Sequence, residues 1–234
     1  MRGLFVTGTD TGVGKTIVAA ALLAAMRAAG EMALAHKPVL TGVEQTPEVW
    51  PPDHLLLALA AEMEPADVVS EIFAPPLSPH LAAQLEGRTL DPAALVADAQ
   101  AKGGGATVVV EGIGGLLVPL TDTELVRDFA AALALPVIVA ARPGLGTINH
   151  TLLTLEAARA GGLSVAAVVI TPWPREPGDL QRSNRETIES LGAVDVATLA
   201  EIPGPSLPAL AAAGEELPWR RWLDQPAAAA AQSA

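Results

Sequence analysis

Gly14, Lys15 and Thr16 close the stretch TGTDTGVGKT at residues 7–16, and they are the residue types that cradle a triphosphate. Glycines at 8, 12 and 14 let the backbone turn its N–H groups inward, Lys15 reaches the β- and γ-phosphates, and the Thr16 hydroxyl suits Mg²⁺. The common spacing is G-x-x-x-x-G-K-[ST], and counting back from Gly14 puts Thr9, not a glycine, at its first position. Gly8 stands one residue early. A glycine-rich strand-to-helix turn without a ligand is the plain alternative, and the Gly-Lys-Thr triplet directly after an apolar strand argues against it. A dinucleotide site is the other rival. GLGTIN at 144–149 begins like G-x-G-x-x-G, but it lacks the third glycine and does not follow the first strand, so it is rejected.

Nucleotide-bound magnesium takes hard oxygen ligands, usually one or two of them from protein carboxylates. Glu111, which ends the apolar run VVVE, is the leading candidate. Asp53, in PPDHLLL, opens an apolar helix and reads equally as its N-cap; spacing alone does not decide. Lys37 alone reads as a solvated strand end as readily as a catalytic cation, and Glu111 alone as a helix-capping carboxylate. What links these residues is position. Each follows an apolar run directly, and an open parallel sheet binds its ligands outside the carboxyl ends of its strands. The same edge receives GIGG after Glu111, RPGLGTINH, TPWPREP and EIPGP.

The elements that must place these groups are legible as apolar runs. GLFVT at 3–7, MALAHKP at 32–38, ATVVVEG at 106–112, LPVIVAARP at 135–143 and LSVAAVVI at 163–170 read as strands, with VATLA a sixth. Continuous apolar strands belong to a sheet covered on both faces. Helices are expected at 15–29, 91–102, 125–133, 148–160 and 180–191, each long enough for a crossover. The fold class is therefore α/β, doubly wound, with a mainly parallel sheet of the P-loop NTPase kind in a single domain, residues 1–225. Residues 42–90 are less regular, punctuated by prolines from Pro47 to Pro79 around short helical pieces such as HLLLALAAEM. PAAAAAQSA at 226–234 has no apolar periodicity and reads as a disordered tail. Trp219 and Trp222, with Arg220 and Arg221 between them, are expected to pin the C-terminal segment to the core.

Composition narrows the chemistry. A formal charge of −12 argues against nucleic acid and against anionic membranes. There is no cysteine, which removes disulfides, thiolate catalysis and cysteine-bound zinc. No apolar stretch reaches the roughly 18 residues of a membrane span, and no signal-peptide core precedes Asp10, so a cytoplasmic protein is expected.

TGTDTGVGKT, KPVLTG at 37–42, SPH at 78–80, VEGIGGLLVPL at 110–120 and GLGTINHTLLTLEAARAGGL at 144–163 together resemble the dethiobiotin synthetases, ATP-dependent carboxylases of biotin synthesis. The resemblance runs from residue 3 to about 205, looser between 45 and 100 and absent in the tail. It also accounts for Thr9, since the family's loop carries threonine there. Members take 7,8-diaminononanoate, CO₂ and ATP, form a carbamate, phosphorylate it, and close a cyclic urea. The resemblance implies that Gly12, Val13, Gly14, Lys15, Thr16 and Ile17 hold ATP, that Lys15 and Lys37 stabilise the travelling charge, and that Thr11 approaches the phosphate. It implies Mg²⁺ on Thr16, Asp53 and Glu111, and the diamine along Thr41, Gly112, Gly114 and Gly115. The substrate's distant carboxylate is expected at Thr147 to Asn149, supplied by the partner subunit of a homodimer. His150 reads as a packing or hydrogen-bonding residue.

One block departs from the family pattern. Many members carry asparagine after the fifth strand to read adenine, where this sequence has Thr171; Ile202, Pro203 and Gly204 resemble the other base-side loop. Two other P-loop classes compete. Switch ATPases of the partitioning or septum-positioning type carry KGG early in the loop, which Thr11-Gly12 replaces, and cobalamin-type amidotransferase ATPases need a further glutaminase domain with a cysteine.

Overall fold

A strand that is apolar on both faces is stable only where both faces are covered, and Gly3–Gly8 (β1) is buried along its whole length. The computed structural model describes residues 1–43 and 50–225. After β1 come Lys15–Ala28 (α1), Ala33–Thr41 (β2), Asp53–Ala61 (α2), Val69–Phe73 (β3), Pro79–Leu85 (α3) and Pro92–Lys102 (α4). Thr107–Glu111 (β4), Val126–Leu133 (α5), Val137–Ala141 (β5), Thr147–Ala160 (α6) and Val165–Trp173 (β6) follow. Asp179–Gly192 (α7), Val196–Ala200 (β7), Leu207–Glu215 (α8) and Trp219–Leu223 (α9) complete the described chain.

The seven strands form one sheet in the order β3-β2-β4-β1-β5-β6-β7, and every neighbouring pair is parallel. The order reverses at β1, which therefore lies between β4 and β5. The loop after β1 is thus flanked by Glu111 on one side and by the chain following Ala141 on the other. That crevice is where a doubly wound sheet binds its ligand.

Two apolar cores sandwich the sheet, one around α1, α2, α8 and α9, the other around α4, α5 and α6. In α1 every residue from Val18 to Met26 is at most 1% exposed, so this helix is covered on all sides and shows no polar face. Its small alanines let α8 approach closely. A Cβ on Gly214 would lie 2.0 Å from the Ala21 carbonyl oxygen, so glycine is the residue that permits this contact. Trp219 and Trp222 are buried in the same core and fasten the C-terminal segment.

The expected strands and helices are all present, with ends shifted by a few residues. Three features lie outside the sequence reading. β3 runs through the proline-punctuated region, and as a half-exposed edge strand it carries a weak pattern. β2 continues past Pro38 to Thr41, because its β4 pairing ends at His36 and its β3 register skips Pro38, so the missing N–H breaks no ladder bond. Helices α8 and α9 follow EIPGP, where no helix was expected. The expected tail at 226–234 and Pro47 lie outside the described residues.

Candidate active site

The P-loop begins where β1 ends and α1 starts. Gly14, the N-cap of α1, has φ +96°, a left-handed conformation that glycine adopts without strain. The space beside it is filled, since a Cβ there would lie 2.6 Å from Thr171 Cγ2. Lys15 is buried, and its Nζ donates to the Asp10 carbonyl oxygen at 2.9 Å, folding the side chain back over the loop. Burial pulls the Lys15 ammonium below the ordinary lysine range, although the Glu111 carboxylate opposes the shift. Val13 is buried and packs its Cγ2 close to Gly8.

The sheet register assembles the charges. Val6 of β1 faces Glu111 of β4, and His36 of β2 faces Val110, so Lys37 emerges beside Glu111. Lys37 Nζ donates to Glu111 Oε1 at 2.7 Å and lies 2.8 Å from Asp53 Oδ2. Asp53 is the first residue of α2, and Pro52 occupies the cap, so its carboxylate serves the ion pair and not the helix end. Burial weakens the Lys37 ammonium, but the two carboxylates overcome that and hold it above the ordinary lysine range. Burial raises Glu111, with Lys37 opposing, while Lys37 outweighs burial at Asp53 and lowers it.

Thr16 Oγ1 donates to the same Glu111 Oε1 at 3.0 Å, whereas Glu111 Oε2 is buried with no partner. An unpartnered buried carboxylate oxygen beside a threonine hydroxyl and a second carboxylate is a hard-oxygen set that fits Mg²⁺. Among the described residues no group of three or more His, Cys, Asp or Glu forms a metal cage. The set fits an ion that arrives partly coordinated by phosphate oxygens.

These groups line one cavity of about 820 Å³. Its wall includes Thr11, Gly12, Gly14, Lys15, Thr16, Ile17, Lys37, Thr41, Asp53, Glu111 and Gly114. Ser78 and the apolar Trp50 and Leu77 close its far side. Gly112 is absent from the wall; a Cβ there would meet Phe5 Cζ at 2.9 Å, which makes it a packing position against β1. Gly115 lines a separate cleft of about 380 Å³ with Asp10, Leu117, His150 and Leu153. Thr147, buried, and Asn149, exposed, sit in the first turn of α6 outside the main cavity. Thr171 is buried against Gly14, and Pro203 and Gly204 lie in the loop after β7, likewise outside it.

Two residues near the site escaped the sequence reading. Asn184 of α7 is buried, and its Nδ2 donates to the carbonyl oxygens of Pro143 at 3.1 Å and Gly144 at 3.2 Å, fixing the loop that leads into α6. Arg142 Nη2 donates to the Thr11 carbonyl oxygen at 3.0 Å, joining the end of β5 to the P-loop. The position of Arg142 on the ligand-binding edge was a usable signal. For Asn184 there was none, because a mid-helix asparagine looks like a solvated one until the partner loop is known.

A family model described as an AAA domain matches residues 2–212. The ATP-dependent dethiobiotin synthetase of Anaeromyxobacter sp. (strain K) is 49% identical over 203 residues, 82% of this chain and 90% of the relative. That of Anoxybacillus flavithermus is 37% identical, covering 87% and 92% of the two chains. Among solved structures, a ParA family ATPase from Chlorobium tepidum superposes with a TM-score of 0.55 at 11% identity over 93% of this chain and 92% of that one. The cell division ATPase MinD of Pyrococcus furiosus gives 0.55 at 18% identity over 92% and 96%. At these identities the structural likeness shows the fold alone.

Proposed function

This chain belongs to the family of ATP-dependent dethiobiotin synthetases, and from that membership we propose the course of reaction that its pocket supports. The protein is a ligase of biotin synthesis with ATP as co-substrate. In the reaction we propose, one amine of 7,8-diaminononanoate attacks CO₂ and loses a proton to give a carbamate. A carbamate oxygen then attacks the γ-phosphorus of ATP, and ADP departs. The second amine attacks the resulting mixed anhydride, the urea ring closes, and phosphate leaves.

None of these steps requires a protein nucleophile; all require positive charge along the path of the oxygens. The observation that carries the reading is that two buried lysines, Lys15 and Lys37, line one cavity with the P-loop. Lys15 would follow the phosphates, Lys37 would meet the carbamate, and Thr11 would stand at the transferring group. Thr16, Asp53 and Glu111 would hold Mg²⁺, which when bound neutralises phosphate charge and orients the γ-phosphoryl group. Thr41 with Gly114 would face the diamine, with Gly112 and Gly115 shaping the loop behind them. On the base side, Thr171, Pro203 and Gly204 are the residues we assign to the nucleotide.

The first turn of α6 lies outside this cavity, and exposed Leu117 and Leu153 line the neighbouring cleft. That arrangement suits a homodimer in which Thr147 and Asn149 of one subunit reach the substrate carboxylate in the other. We assign the work to residues 1–225 as a single domain in the cytoplasm; among the described residues no helix is long and apolar enough to cross a membrane.

The test is phosphate release with Mg-ATP, adding the diamine and bicarbonate separately and then together, with mass detection of the cyclic urea. Release that needs both, with dethiobiotin formed, is expected. Slow release indifferent to either would overturn the reaction and point to a switch ATPase.

A further inference from the structure

We propose that Arg142 is a further phosphate-binding residue of this site, a cation that the P-loop carries on its own backbone and that the polyphosphate of a nucleotide engages. The inference rests on the ATP-binding reading above. Its basis is the hydrogen bond from Arg142 Nη2 to the Thr11 carbonyl oxygen at 3.0 Å. Strand register makes that contact: Gly8 of β1 pairs with Ala140 of β5, so the residue leaving β5 runs alongside the residues leaving β1.

Arg142 is exposed, and among the described residues no ion pair includes it. Arg88 and Arg221, by contrast, each face a carboxylate. A guanidinium has five N–H donors in a rigid fork that matches phosphate oxygens. One contact to Thr11 leaves the rest free. Gly12, at φ +66°, lies directly beside the guanidinium: a Cβ there would stand 3.9 Å from Arg142 Nη2.

Lys37 is held between Asp53 and Glu111, and Lys15 is turned onto Asp10. Arg142, like Lys15, has a backbone carbonyl and not a charge as its partner, so an anion in the loop gains a contact to it without breaking an ion pair.

The test is calorimetric titration of the full chain with ATP, ADP and AMP in Mg²⁺, comparing wild type with Arg142→Gln and Arg142→Lys. Glutamine keeps an N–H for Thr11 without the charge, and lysine keeps the charge. We expect Arg142→Gln to weaken ATP binding roughly tenfold or more, the loss of one charge-assisted hydrogen bond, with AMP binding and Tm unchanged and partial recovery in Arg142→Lys. A loss confined to ATP assigns the contact to the γ-phosphate, and one shared with ADP assigns it to the β-phosphate. Wild-type ATP affinity in Arg142→Gln would overturn the proposal, as would equal losses for all three nucleotides with a lowered Tm. A wild-type chain that binds nucleotide but forms no dethiobiotin would remove the proposed reaction and leave this inference standing.

Discussion

Lys37 Nζ lies 2.7 Å from Glu111 Oε1, a contact between residues 74 apart in sequence that the neighbouring strands β2 and β4 bring together. Both partners are buried, so removing one leaves a charge without compensation. Lys37→Ala should lower turnover by about 10²–10³, the usual effect of deleting one preorganised donor to a developing charge. Nucleotide affinity should stay within a few fold, because the P-loop is untouched. Steady-state kinetics beside ATP titration checks this, and normal turnover would take Lys37 out of the chemistry.

Glu111→Gln preserves shape and one acceptor but removes the charge from the unpartnered Oε2 side. It should raise the Mg²⁺ concentration needed for half-maximal activity by about tenfold or more, in line with the loss of a hard anionic ligand. Turnover measured across a Mg²⁺ series decides. An unchanged Mg²⁺ requirement would mean that the metal is held elsewhere.

The P-loop, Lys37 and Glu111 were legible because each follows a continuous apolar strand, and the parallel sheet gathers strand ends at one edge. Asp53 was ambiguous. An acidic residue before an apolar helix suits a cap equally well, and only the packing of α2 beside Lys37 shows which role it takes. β3 escaped because an edge strand with half-buried residues has neither a continuous apolar run nor clean alternation. Asn184 escaped for another reason: it acts on backbone carbonyls, and a carbonyl has no residue type for a spacing rule to detect; Arg142 stands in the RPGLGTINH run on the ligand-binding edge, and its contact to the Thr11 carbonyl shows what that position serves.

Asn184 spends both amide hydrogens on the carbonyls of Pro143 and Gly144, which set the entry to α6. Asn184→Leu leaves those acceptors facing an apolar side chain, at a cost of about 1–3 kcal/mol. If the start of α6 serves the substrate carboxylate, KM for the diamine should rise several-fold while KM for ATP is unchanged. Equal rises in both would indicate general loosening of the fold.

His36, next to Lys37 but pointing away from the cavity, supplies the pH dependence. It is fully buried, its Nδ1 lies 3.0 Å from Lys102 Nζ, and its Nε2 has no partner. Burial, with the Lys102 ammonium beside it, pulls the imidazole from its ordinary 6.5 down to about 4, against a smaller opposing pull from Asp98. The native state therefore keeps His36 neutral where the unfolded chain is already protonated. Above pH 6.5 there is no difference; as pH falls through 6.5 toward 4 the unfolded state binds the extra proton and stability drops. The full loss is about 3 kcal/mol, at roughly 1.4 kcal/mol per pH unit. Urea unfolding at a series of pH values should show this slope in the wild type and lose it in His36→Asn, which cannot titrate. Parallel curves for the two proteins would assign the acid sensitivity to other groups.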